Sequence, residues 1–503
     1  MILLDGSTLT LDALARVAHD AEPVGLSADA RARVVASRNV VDEHAARGVP
    51  VYGVNTGFGA LAEVAIPADQ LSALQLNLLR SHAAGVGEPL PAPVVRALMA
   101  LRANVLAKGF SGIRPATLDA LIAMLNARVH PIVPSRGSVG ASGDLAPLAH
   151  LALVLVGEGQ AEYGGAHLSG ADALTRAGLH PVTLAAKEGL ALINGTQASA
   201  AVLALTVLGA ARLARAADAT AAMSIDALRG SFHPFEARIH AARPVPGQAA
   251  SAANLLILGA GSAINASHQN CGKVQDAYAL RCAPQVHGSA REAIAFAHRL
   301  ATIEANSATD NPMVFAEAGD IISGGNFHGA PVALAADTLT IGLVQLASIS
   351  ERRTDRLMTP HESGLPAFLV PDSGLNSGFM MAHVTAAALT SELKTLAHPA
   401  SADSIPTSAG REDHVSMSMW AALKAWRALD LATHVIAIEL MAACQALDLL
   451  APLRSSPRLQ NVHQSVRAHV PRLQTDRPPA PDVAAIVQLI ASGAIDTAAG
   501  DLA

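Results

Sequence analysis

The chain has 503 residues, of which 51% are hydrophobic, 15% are charged and only 3% are aromatic, and its formal net charge is −6. This length is ample for a large buried core, and the lack of a basic stripe argues against a protein that binds nucleic acid. The three cysteines are odd in number and lack metal-ligand spacing, which predicts a reducing compartment without structural disulfides. Because the first residues carry Asp5 and no basic region, they do not predict a signal peptide, and we expect a cytoplasmic protein.

Hydrophobic periodicity predicts a mainly α fold. The first 60 residues have a mixed pattern, with a short strand predicted around residues 51–53. Helices are predicted over residues 94–105, with Gly109 as the C-cap, and over residues 119–129. From residue 196 onward helical patterns dominate, over residues 196–222, 288–309, 331–357, 383–397 and 415–449. We therefore expect a smaller mixed domain over residues 1–195 and an elongated central helical bundle over residues 196–503, with a helical tail after the prolines at 478–481.

Two segments have sequence patterns that are also found in membrane proteins and in dinucleotide-binding proteins. Residues 189–211 are apolar enough to suggest a membrane span, but the polar run from Asn194 to Gln197 interrupts them and Arg212 follows. We expect a buried core helix and no membrane. Residues 255–261 resemble a strand entering a dinucleotide loop, yet Ile264 takes the third small position and no acidic residue follows at the required distance. We therefore do not expect nucleotide binding.

The most informative segment is residues 137–144, which read GSVGASGD. Gly143 has no side chain, so its backbone nitrogen can fold back onto the carbonyl carbon of Ala141. Closure of that five-membered ring with loss of two waters, one of them from the Ser142 hydroxyl, leaves an electrophilic exocyclic methylene on an imidazolone. The simpler interpretation is a glycine- and serine-rich loop before a helix, with Asp144 near the helix N-terminus.

Several further segments are too polar for their apolar surroundings. Each combines titratable or amide side chains with glycines or with a helix boundary. In chain order they begin at Tyr52 (YGVNTGFG), Arg80 (RSHAAG), Asn194 (NGT), Gln275 (QDAYALRC), Asn306 (NSATDNP), Ser323 (SGGNFHG) and Glu412 (EDH). The last of them is predicted to open a helix.

Together with Ala141-Ser142-Gly143, these segments resemble the aromatic amino-acid ammonia-lyase family, and most closely its histidine ammonia-lyase branch. The resemblance covers essentially the whole chain in order. Residues 137–150 (GSVGASGDLAPLAH) are the most specific part, and YGVNTGFG, SHAAGVG, INGTQAS, SGGNFHG and EDHVSM reinforce it. The resemblance implies a carbon–nitrogen lyase of histidine catabolism that eliminates ammonia from an aromatic L-amino acid. The expected reaction converts L-histidine to trans-urocanate.

The resemblance also implies an internal cofactor, 4-methylideneimidazol-5-one (MIO), formed autocatalytically from Ala141, Ser142 and Gly143. Tyr52 matches the family's catalytic base, which must remove a weakly acidic β-proton. A phenol can do so only where its neighbours lower its pKa, and the polar, glycine-rich loop around Tyr52 suits that requirement.

Other residues match the family's substrate-binding and catalytic positions. Asn194, Gln275 and Tyr278 match residues that hydrogen-bond the cofactor and the substrate amino group. Arg281 matches the residue that binds the substrate carboxylate, for which a planar guanidinium is suited. Phe327 matches an aromatic residue that lines the pocket, although ordinary core packing would account for it equally well.

The family's selectivity positions are His82 and Glu412, an imidazole and a carboxylate that would hold the substrate imidazole. The simpler interpretation is a histidine at a helix end and an acidic residue at a helix N-terminus. Two departures from the histidine-lyase pattern concern the substrate: Gly329-Ala330 stands where Ala-Glu is common, and Gly410-Arg411 where Asn-Gln is common. They leave open a tyrosine or phenylalanine ammonia-lyase, or an aminomutase with the same cofactor.

The resemblance implies a homotetramer with shared active sites, in which Tyr278 and Arg281 come from a different subunit than the Ala-Ser-Gly tripeptide. An alternative of another class is a non-catalytic helical assembly protein, or a metal enzyme that uses some of the 20 histidines. Neither Glu412-Asp413-His414 nor His361-Glu362 forms a complete ligand set, and the sequence has no HExxH motif, so we expect no metal.

Overall fold

The computed structural model describes residues 1–503 apart from 48–49, 58–62, 270–271 and 273. Within the described residues α-helices dominate and strands are short, so the predicted mainly α fold is confirmed. The chain forms two compact units: the first contains Met1–Leu205, His298–Asp337 and Pro399–Leu423, and the second contains Thr206–Ala297, Thr338–His398 and Lys424–Ala503. The contiguous division at residue 195 stays a prediction.

Helices of the first unit surround a buried helix, α4. In chain order the unit contains α1 (Leu11–His19), α2 (Ala28–Arg47), α3 (Leu71–His82), α4 (Ala92–Ala107), α5 (Pro115–Asn126), α6 (Leu145–Leu155), α7 (Gly170–Arg176) and α8 (Glu188–Ile193). Helix α4 contacts α1, α2 and α5, and nearly all of its side chains are buried. Gly109 follows it with φ +81°, and its amide donates to the Leu106 carbonyl at 3.1 Å, as predicted for a glycine at a helix end.

Short sheets complete the first unit. The strands are β1 (Ile2–Leu4), β2 (Val24–Leu26), β3 (Val86–Pro89), β4 (His130–Pro131), β5 (Pro134–Arg136), β6 (Gln160–Tyr163), β7 (Ala166–Ser169), β8 (Met313–Phe315) and β9 (Asp320–Ile322). Strands β1 and β2 pair in parallel, with Ile2 opposite Val24. The other pairs are antiparallel: β3 with β5, β6 with both β4 and β7, and β8 with β9, where Met313 lies opposite Ile322.

The strand predicted around residues 51–53 is wrong, because these residues form a turn. The Val54 amide donates to the Val51 carbonyl at 3.0 Å, and Gly53 has φ +76°. A left-handed glycine closes a turn and cannot continue an extended ladder. Tyr52 therefore lies in this turn.

Within its described residues, the second unit consists of helices joined by loops. Its helices are α9 (Gln197–Ala227), α10 (Ala237–Ala241), α11 (Pro246–Gly259), α12 (Ala263–Ala266), α13 (Tyr278–Arg281), α14 (Ala283–Ala305), α15 (Ala330–Met358), α16 (Pro360–Ser363), α17 (Met380–Leu396), α18 (Ser418–Leu449), α19 (Pro457–Arg467), α20 (Ala480–Ser492) and α21 (Ala494–Ala499). Four of these helices have part of their length in the first unit: α9, α14, α15 and α18. The long helices predicted from periodicity are confirmed as α9, α14, α15, α17 and α18.

The start of α18 differs from the prediction. Glu412-Asp413-His414 do not open the helix, which begins at Ser418. Met417, just before it, has φ +57° and donates its amide to the Val139 carbonyl at 2.8 Å. This contact with a distant loop holds residues before Ser418 out of the helix, which periodicity along one segment cannot reveal.

Small residues and a buried ion pair hold the long helices of the second unit together. Gly209 on α9 is so close to α18 that an added Cβ would lie 2.6 Å from Leu429 Cδ2. On α15, Arg353 donates to both carboxylate oxygens of Glu439 at 2.5 and 2.9 Å, and neither side chain is exposed. Glu439 also accepts from the Ser224 hydroxyl at 2.6 Å, so α9, α15 and α18 meet at one carboxylate.

Helices α9, α15 and α18 are long and apolar enough to cross a membrane by length and composition alone. In the structure, the most apolar 18-residue stretch of each helix is largely buried: 67% of it in α9, 67% in α15 and 83% in α18. Residues 189–211 are mostly buried, as expected, but they form α8 and the start of α9 rather than one core helix, because the polar residues 194–196 interrupt the helix. That the protein has no membrane partner stays a prediction.

We predict that Gly288→Ala lowers the free energy of unfolding by about 1–3 kcal/mol. An added Cβ would lie 2.5 Å from the backbone Cα and N of Gln248 on α11, and backbone atoms cannot swing away as a flexible side chain can. Ser289→Ala is the matched control, because the exposed Ser289 hydroxyl only donates to the Gln285 carbonyl of its own helix. Denaturant unfolding of both variants checks this, and equal stability of the two variants would contradict it.

Candidate active site

The Ala-Ser-Gly tripeptide lies in a loop between β5 and α6, pressed against the backbone at Gly195. Gly143 has φ +74°, and a Cβ there would lie 2.3 Å from the Gly195 carbonyl oxygen. The Asp144 amide donates to that same oxygen at 2.7 Å. No residue other than glycine fits position 143, because a side chain would displace this backbone contact.

The opposite side of this contact is a break between two helices. Helix α8 ends at Ile193 and α9 begins at Gln197, which leaves the intervening polar residues free to turn. The Asn194 side-chain amide donates to the Ser142 carbonyl at 3.2 Å. Asn194 is 4% exposed, and its Oδ1 has no hydrogen-bond partner among the described residues. The interruption seen in the sequence therefore places an unused, buried acceptor beside Ser142.

Asp144 connects the tripeptide to the helix that follows the break. Its carboxylate is fully buried and accepts hydrogen bonds from the Ser199 amide at 2.7 Å, the Ser199 hydroxyl at 2.8 Å and the Ser138 hydroxyl at 2.7 Å. Burial raises the pKa of Asp144, and the hydrogen bonds oppose that rise. Because Ser199 lies in the first turn of α9, the helix dipole also favours a negative charge at this position.

A second backbone contact holds the loop just before the tripeptide. The Gly140 carbonyl accepts from the Gly329 amide at 3.1 Å and from the Ser416 hydroxyl at 2.9 Å. A Cβ at Gly140 would lie 2.3 Å from the hydroxyl oxygens of Ser416 and Ser418. The loop is therefore bound on one side by residues 194–199 and on the other by the segment that leads into α18.

A cavity of about 600 Å³ opens beside the tripeptide within the first unit. Predicted site residues line it: Tyr52, Ala141, Ser142, Phe327 and Glu412. One oxygen of the Glu412 carboxylate accepts from the Ser142 hydroxyl at 2.9 Å, and the other accepts from the Thr407 hydroxyl at 2.5 Å. The structure thus brings together residues that are up to 360 positions apart in sequence.

The cavity is also lined by residues that were not predicted as site residues, including His328, Arg411 and His414. His328 and His414 stack with ring centroids 5.9 Å apart and an interplanar angle of 6°, and His328 Nε2 lies 3.1 Å from the His414 carbonyl. Arg411, one of the departures from the family pattern, also lines the cavity, with its guanidinium 3.8 Å from the Glu63 carboxylate. His328 lies in the SGGNFHG motif and His414 in the EDHVSM motif, so the sequence could have indicated both as site residues.

His82 is the last residue of α3, and its ring is held by the helix itself. Nδ1 lies 2.9 Å from the Leu78 carbonyl, which can only accept, so Nδ1 carries the hydrogen and Nε2 carries the lone pair. Burial lowers the pKa of His82, whereas the hydrogen bond to Leu78 and the charge of Glu412 oppose that shift. His82 is therefore a neutral acceptor at pH 7 within the electrostatic reach of Glu412.

The other predicted site residues belong to the second unit. Gln275 and Arg281 line a cavity of about 690 Å³ there. The Arg281 guanidinium carbon lies 4.7 Å from the centroid of the Tyr278 ring, and Arg281 Nε donates to the Asp276 carbonyl at 2.9 Å. Tyr278 is 71% exposed. These three residues form one group, and their role in the same reaction as Ser142 stays a prediction.

The residues at 141–143 fit the chemistry of the implied cofactor. Ring closure needs a residue without a side chain at position 143, and the contact with Gly195 enforces that requirement. Ala141 is small and 4% exposed, so the ring would form away from bulk water. Among the described residues, no group of three or more His, Cys, Asp or Glu side chains is arranged to hold a metal ion.

We predict that His82 titrates below pH 6.5 and that Glu412→Gln lowers its pKa further. The variant removes a negative charge that favours the protonated ring, so the neutral form persists to lower pH. NMR titration of labelled histidine, with His82→Gln to assign the signal, measures both values. Asp413→Asn is the control, since this exposed neighbour contributes nothing to the shift of His82. A His82 pKa at or above 6.5 in the unsubstituted protein would contradict the assignment.

Comparison with known proteins identifies the family. The sequence profile of the aromatic amino acid lyases matches residues 9–468. A histidine ammonia-lyase of Anaeromyxobacter sp. (strain K) is 57% identical over 504 residues, covering 98% of this chain and 99% of the relative. The crystal structure of histidine ammonia-lyase from Trypanosoma cruzi has a TM-score of 0.92 at 46% identity, covering 99% of this chain and 94% of that one.

A tyrosine aminomutase from Streptomyces globisporus superposes equally well, with a TM-score of 0.94 at 39% identity and coverage of 99% of this chain and 98% of that one. The fold is thus shared by enzymes whose names differ in substrate and in reaction. Since the family profile spans most of the chain and the bacterial relative aligns over nearly all of it, the chain belongs to the aromatic amino acid lyase family.

Proposed function

We propose that this protein is a carbon–nitrogen lyase that eliminates ammonia from L-histidine and releases trans-urocanate. The observation that carries the proposal is that Tyr52, Ser142 and Glu412 line one cavity in a chain 57% identical to a histidine ammonia-lyase. These side chains supply the proton acceptor, the serine of an Ala-Ser-Gly tripeptide and a polar partner for a heterocyclic substrate.

The tripeptide 141–143 is proposed to hold the cofactor. When formed, 4-methylideneimidazol-5-one supplies an electrophilic methylene that no standard side chain provides. Asn194 donates to the Ser142 carbonyl and would keep that oxygen oriented. The Asp144 amide, bonded to the Gly195 carbonyl, fixes the other end of the tripeptide.

Tyr52 is proposed to remove the substrate β-proton. It lines the same cavity as Ser142, which supports the proposal that one bound substrate would contact both residues. A general base must lie within hydrogen-bond reach of its proton, and its contribution to the rate is about a hundredfold to ten-thousandfold. The turn at residues 51–54 holds Tyr52 in this position.

His82 and Glu412 are proposed to select the substrate ring. A ring nitrogen that carries a proton needs an acceptor, and both side chains can accept. The lone pair on His82 Nε2 provides an acceptor for one ring N–H. The Glu412 oxygen that now accepts from the Ser142 hydroxyl would be released when that hydroxyl is lost, and it would accept from the second ring nitrogen when that nitrogen is protonated, while Thr407 keeps the other oxygen.

The carboxylate and amino group of the substrate are proposed to bind Arg281, Tyr278 and Gln275. We propose that a neighbouring copy of the chain supplies these residues in a homotetramer in the cytoplasm. The 71% exposure of Tyr278 supports this arrangement, because a large aromatic ring in a polar group of residues is suited to an interface.

The second candidate is a tyrosine ammonia-lyase or tyrosine aminomutase with the same cofactor. One observation favours it: Arg411 places a guanidinium on the cavity wall, where it changes the charge that a substrate ring would meet. The 39% identity to a tyrosine aminomutase is lower than the identity to the histidine ammonia-lyases, so we keep histidine as the substrate.

We predict the substrate order histidine, then tyrosine, then phenylalanine. A carboxylate left facing an apolar ring loses a hydrogen-bond partner, which corresponds to about tenfold to a hundredfold discrimination. Ultraviolet assays of product formation with the three amino acids at equal concentration measure the order. Glu412→Gln should reduce activity on histidine much more than on tyrosine, and Asp403→Asn, an exposed acid in the same loop region, should change neither. Faster formation of coumarate than of urocanate would favour the tyrosine enzyme.

We predict that Tyr52→Phe lowers kcat at least about a hundredfold, because it removes the general base. The same substitution removes only a hydroxyl, so its cost in stability is about 1 kcal/mol. Tyr163→Phe, in strand β6, is the matched control and should retain full activity. Steady-state kinetics and thermal unfolding separate the two effects. Near-normal turnover in Tyr52→Phe would place the base elsewhere.

A further inference from the structure

We propose that Arg102 is a positioning residue that fixes the break between α8 and α9, and that the Ala-Ser-Gly tripeptide cyclises efficiently only when this break is held. Arg102 lies on α4, within the first unit, and does not line the cavity beside the tripeptide. The inference rests on the proposed function, since it concerns formation of the cofactor that the proposed reaction requires.

The guanidinium of Arg102 binds three acceptors around the break. Nη1 donates to the Asn194 carbonyl at 2.8 Å and to Gln197 Oε1 at 2.7 Å, and Nη2 donates to the Ala191 carbonyl. Two of these acceptors are backbone carbonyls at the C-terminal end of α8. Such carbonyls lack partners in their own helix and carry partial negative charge, so a cation there satisfies them.

Glycine at position 195 allows this approach. A Cβ there would lie 2.6 Å from Arg102 Nη1 and 2.4 Å from Gln197 Oε1. Gln197 is itself oriented, because its Nε2 donates to the Thr309 hydroxyl at 2.7 Å and therefore turns its oxygen toward Arg102. The residues of the break therefore accommodate the guanidinium: Gly195 leaves room for it, and the oriented Gln197 amide accepts its hydrogen bond.

The charge of Arg102 is enclosed by protein. The side chain has no solvent exposure, and burial lowers its pKa to about 10, against the attraction of Asp310. The group therefore remains a cation at neutral pH. Burying a cation costs desolvation free energy, and an apolar residue of similar size often gives a folded state of equal stability. Stability alone does not account for arginine at this position, whereas three acceptors in fixed directions do.

Two hydrogen bonds connect the break to the tripeptide. The Asn194 side chain donates to the Ser142 carbonyl, and the Gly195 carbonyl accepts from the Asp144 amide. Arg102 holds the carbonyl of Asn194, which lies in the peptide group between these two contacts. A shift of that peptide would move both contacts, and a displacement of about 1 Å is enough to cost roughly a hundredfold in a reaction that depends on alignment.

The test compares Arg102→Lys and Arg102→Gln with the same substitutions at Arg96. Arg96 lies on the same helix, is also buried (4% exposed) and donates to the Val17 and Leu125 carbonyls, whereas these bonds do not reach residues 191–197. For each folded, purified full-length variant, intact-mass analysis gives the fraction of chains that have lost two waters. Steady-state assays with L-histidine give kcat and KM.

For both Arg102 variants we expect a cyclised fraction and a kcat that are lower by about tenfold to a hundredfold, with KM within about threefold of the unsubstituted protein. The Arg96 variants should lose stability while their folded chains keep the full cyclised fraction. Complete cyclisation in Arg102→Lys and Arg102→Gln would overturn the proposal, as would an equal deficit in the Arg96 variants.

If neither Arg102 variant folds, Gln197→Met decides the question, since it removes one acceptor and leaves the guanidinium in place. We expect its cyclised fraction to fall by about fivefold, the scale of one hydrogen bond, and full cyclisation would overturn the proposal. The proposed function fails separately: it fails if the unsubstituted chain has lost two waters but does not deaminate L-histidine. The role of Arg102 fails if its variants cyclise as completely as the unsubstituted protein.

Discussion

The hydrogen bond from the Asp144 amide to the Gly195 carbonyl is the contact on which the candidate site depends. It joins the loop that carries the tripeptide to the break between α8 and α9, and it requires glycine on both sides of the contact. From this contact the other positions follow. Asn194 reaches the Ser142 carbonyl because the break turns its side chain toward the loop, and Asp144 reaches Ser199 because α9 starts there.

Buried charges shape this region although the chain is rich in alanine and leucine. Arg102 meets the end of α8, Asp144 meets the start of α9, and Glu304 accepts from the Thr196 hydroxyl within the same break. Burial raises the pKa of Glu304, and the charge of Asp144 raises it further. Each polar group is bonded to a helix end or to the residues between the helices, so the network specifies backbone geometry where hydrophobic packing alone would not.

The sequence predicts the long helices well, because α9, α15 and α18 carry uninterrupted periodicity over about 30 residues each. The Ala-Ser-Gly chemistry identifies Ser142, and the resemblance to the ammonia-lyase motifs identifies Tyr52 and Glu412 as candidates. The turn at residues 51–53 and the late start of α18 were not predictable from local pattern. Both depend on single backbone conformations, and the second is set by a contact with Val139 that is 278 positions away in sequence.

Arg102 is recognisable in the sequence as a charged residue in an apolar helix, but helical periodicity alone does not explain its role. It stands with Arg96 in a helix whose other residues are almost all apolar, and a buried arginine in such a helix must have acceptors nearby. Which acceptors they are depends on the fold: those of Arg96 are backbone carbonyls at Val17 and Leu125, and those of Arg102 surround Asn194. Only the structure distinguishes a packing role from a role near the tripeptide.

The loop at residues 137–144 is expected to become the reactive group of the enzyme. Tandem mass spectrometry of a proteolytic peptide that spans these residues, taken from active protein, tests this directly. We expect a loss of two waters located within Ala141-Ser142-Gly143, and the full mass in Ser142→Ala, which should also lose its activity. A peptide of full mass from protein that still deaminates histidine would show that the loop is not the reactive group.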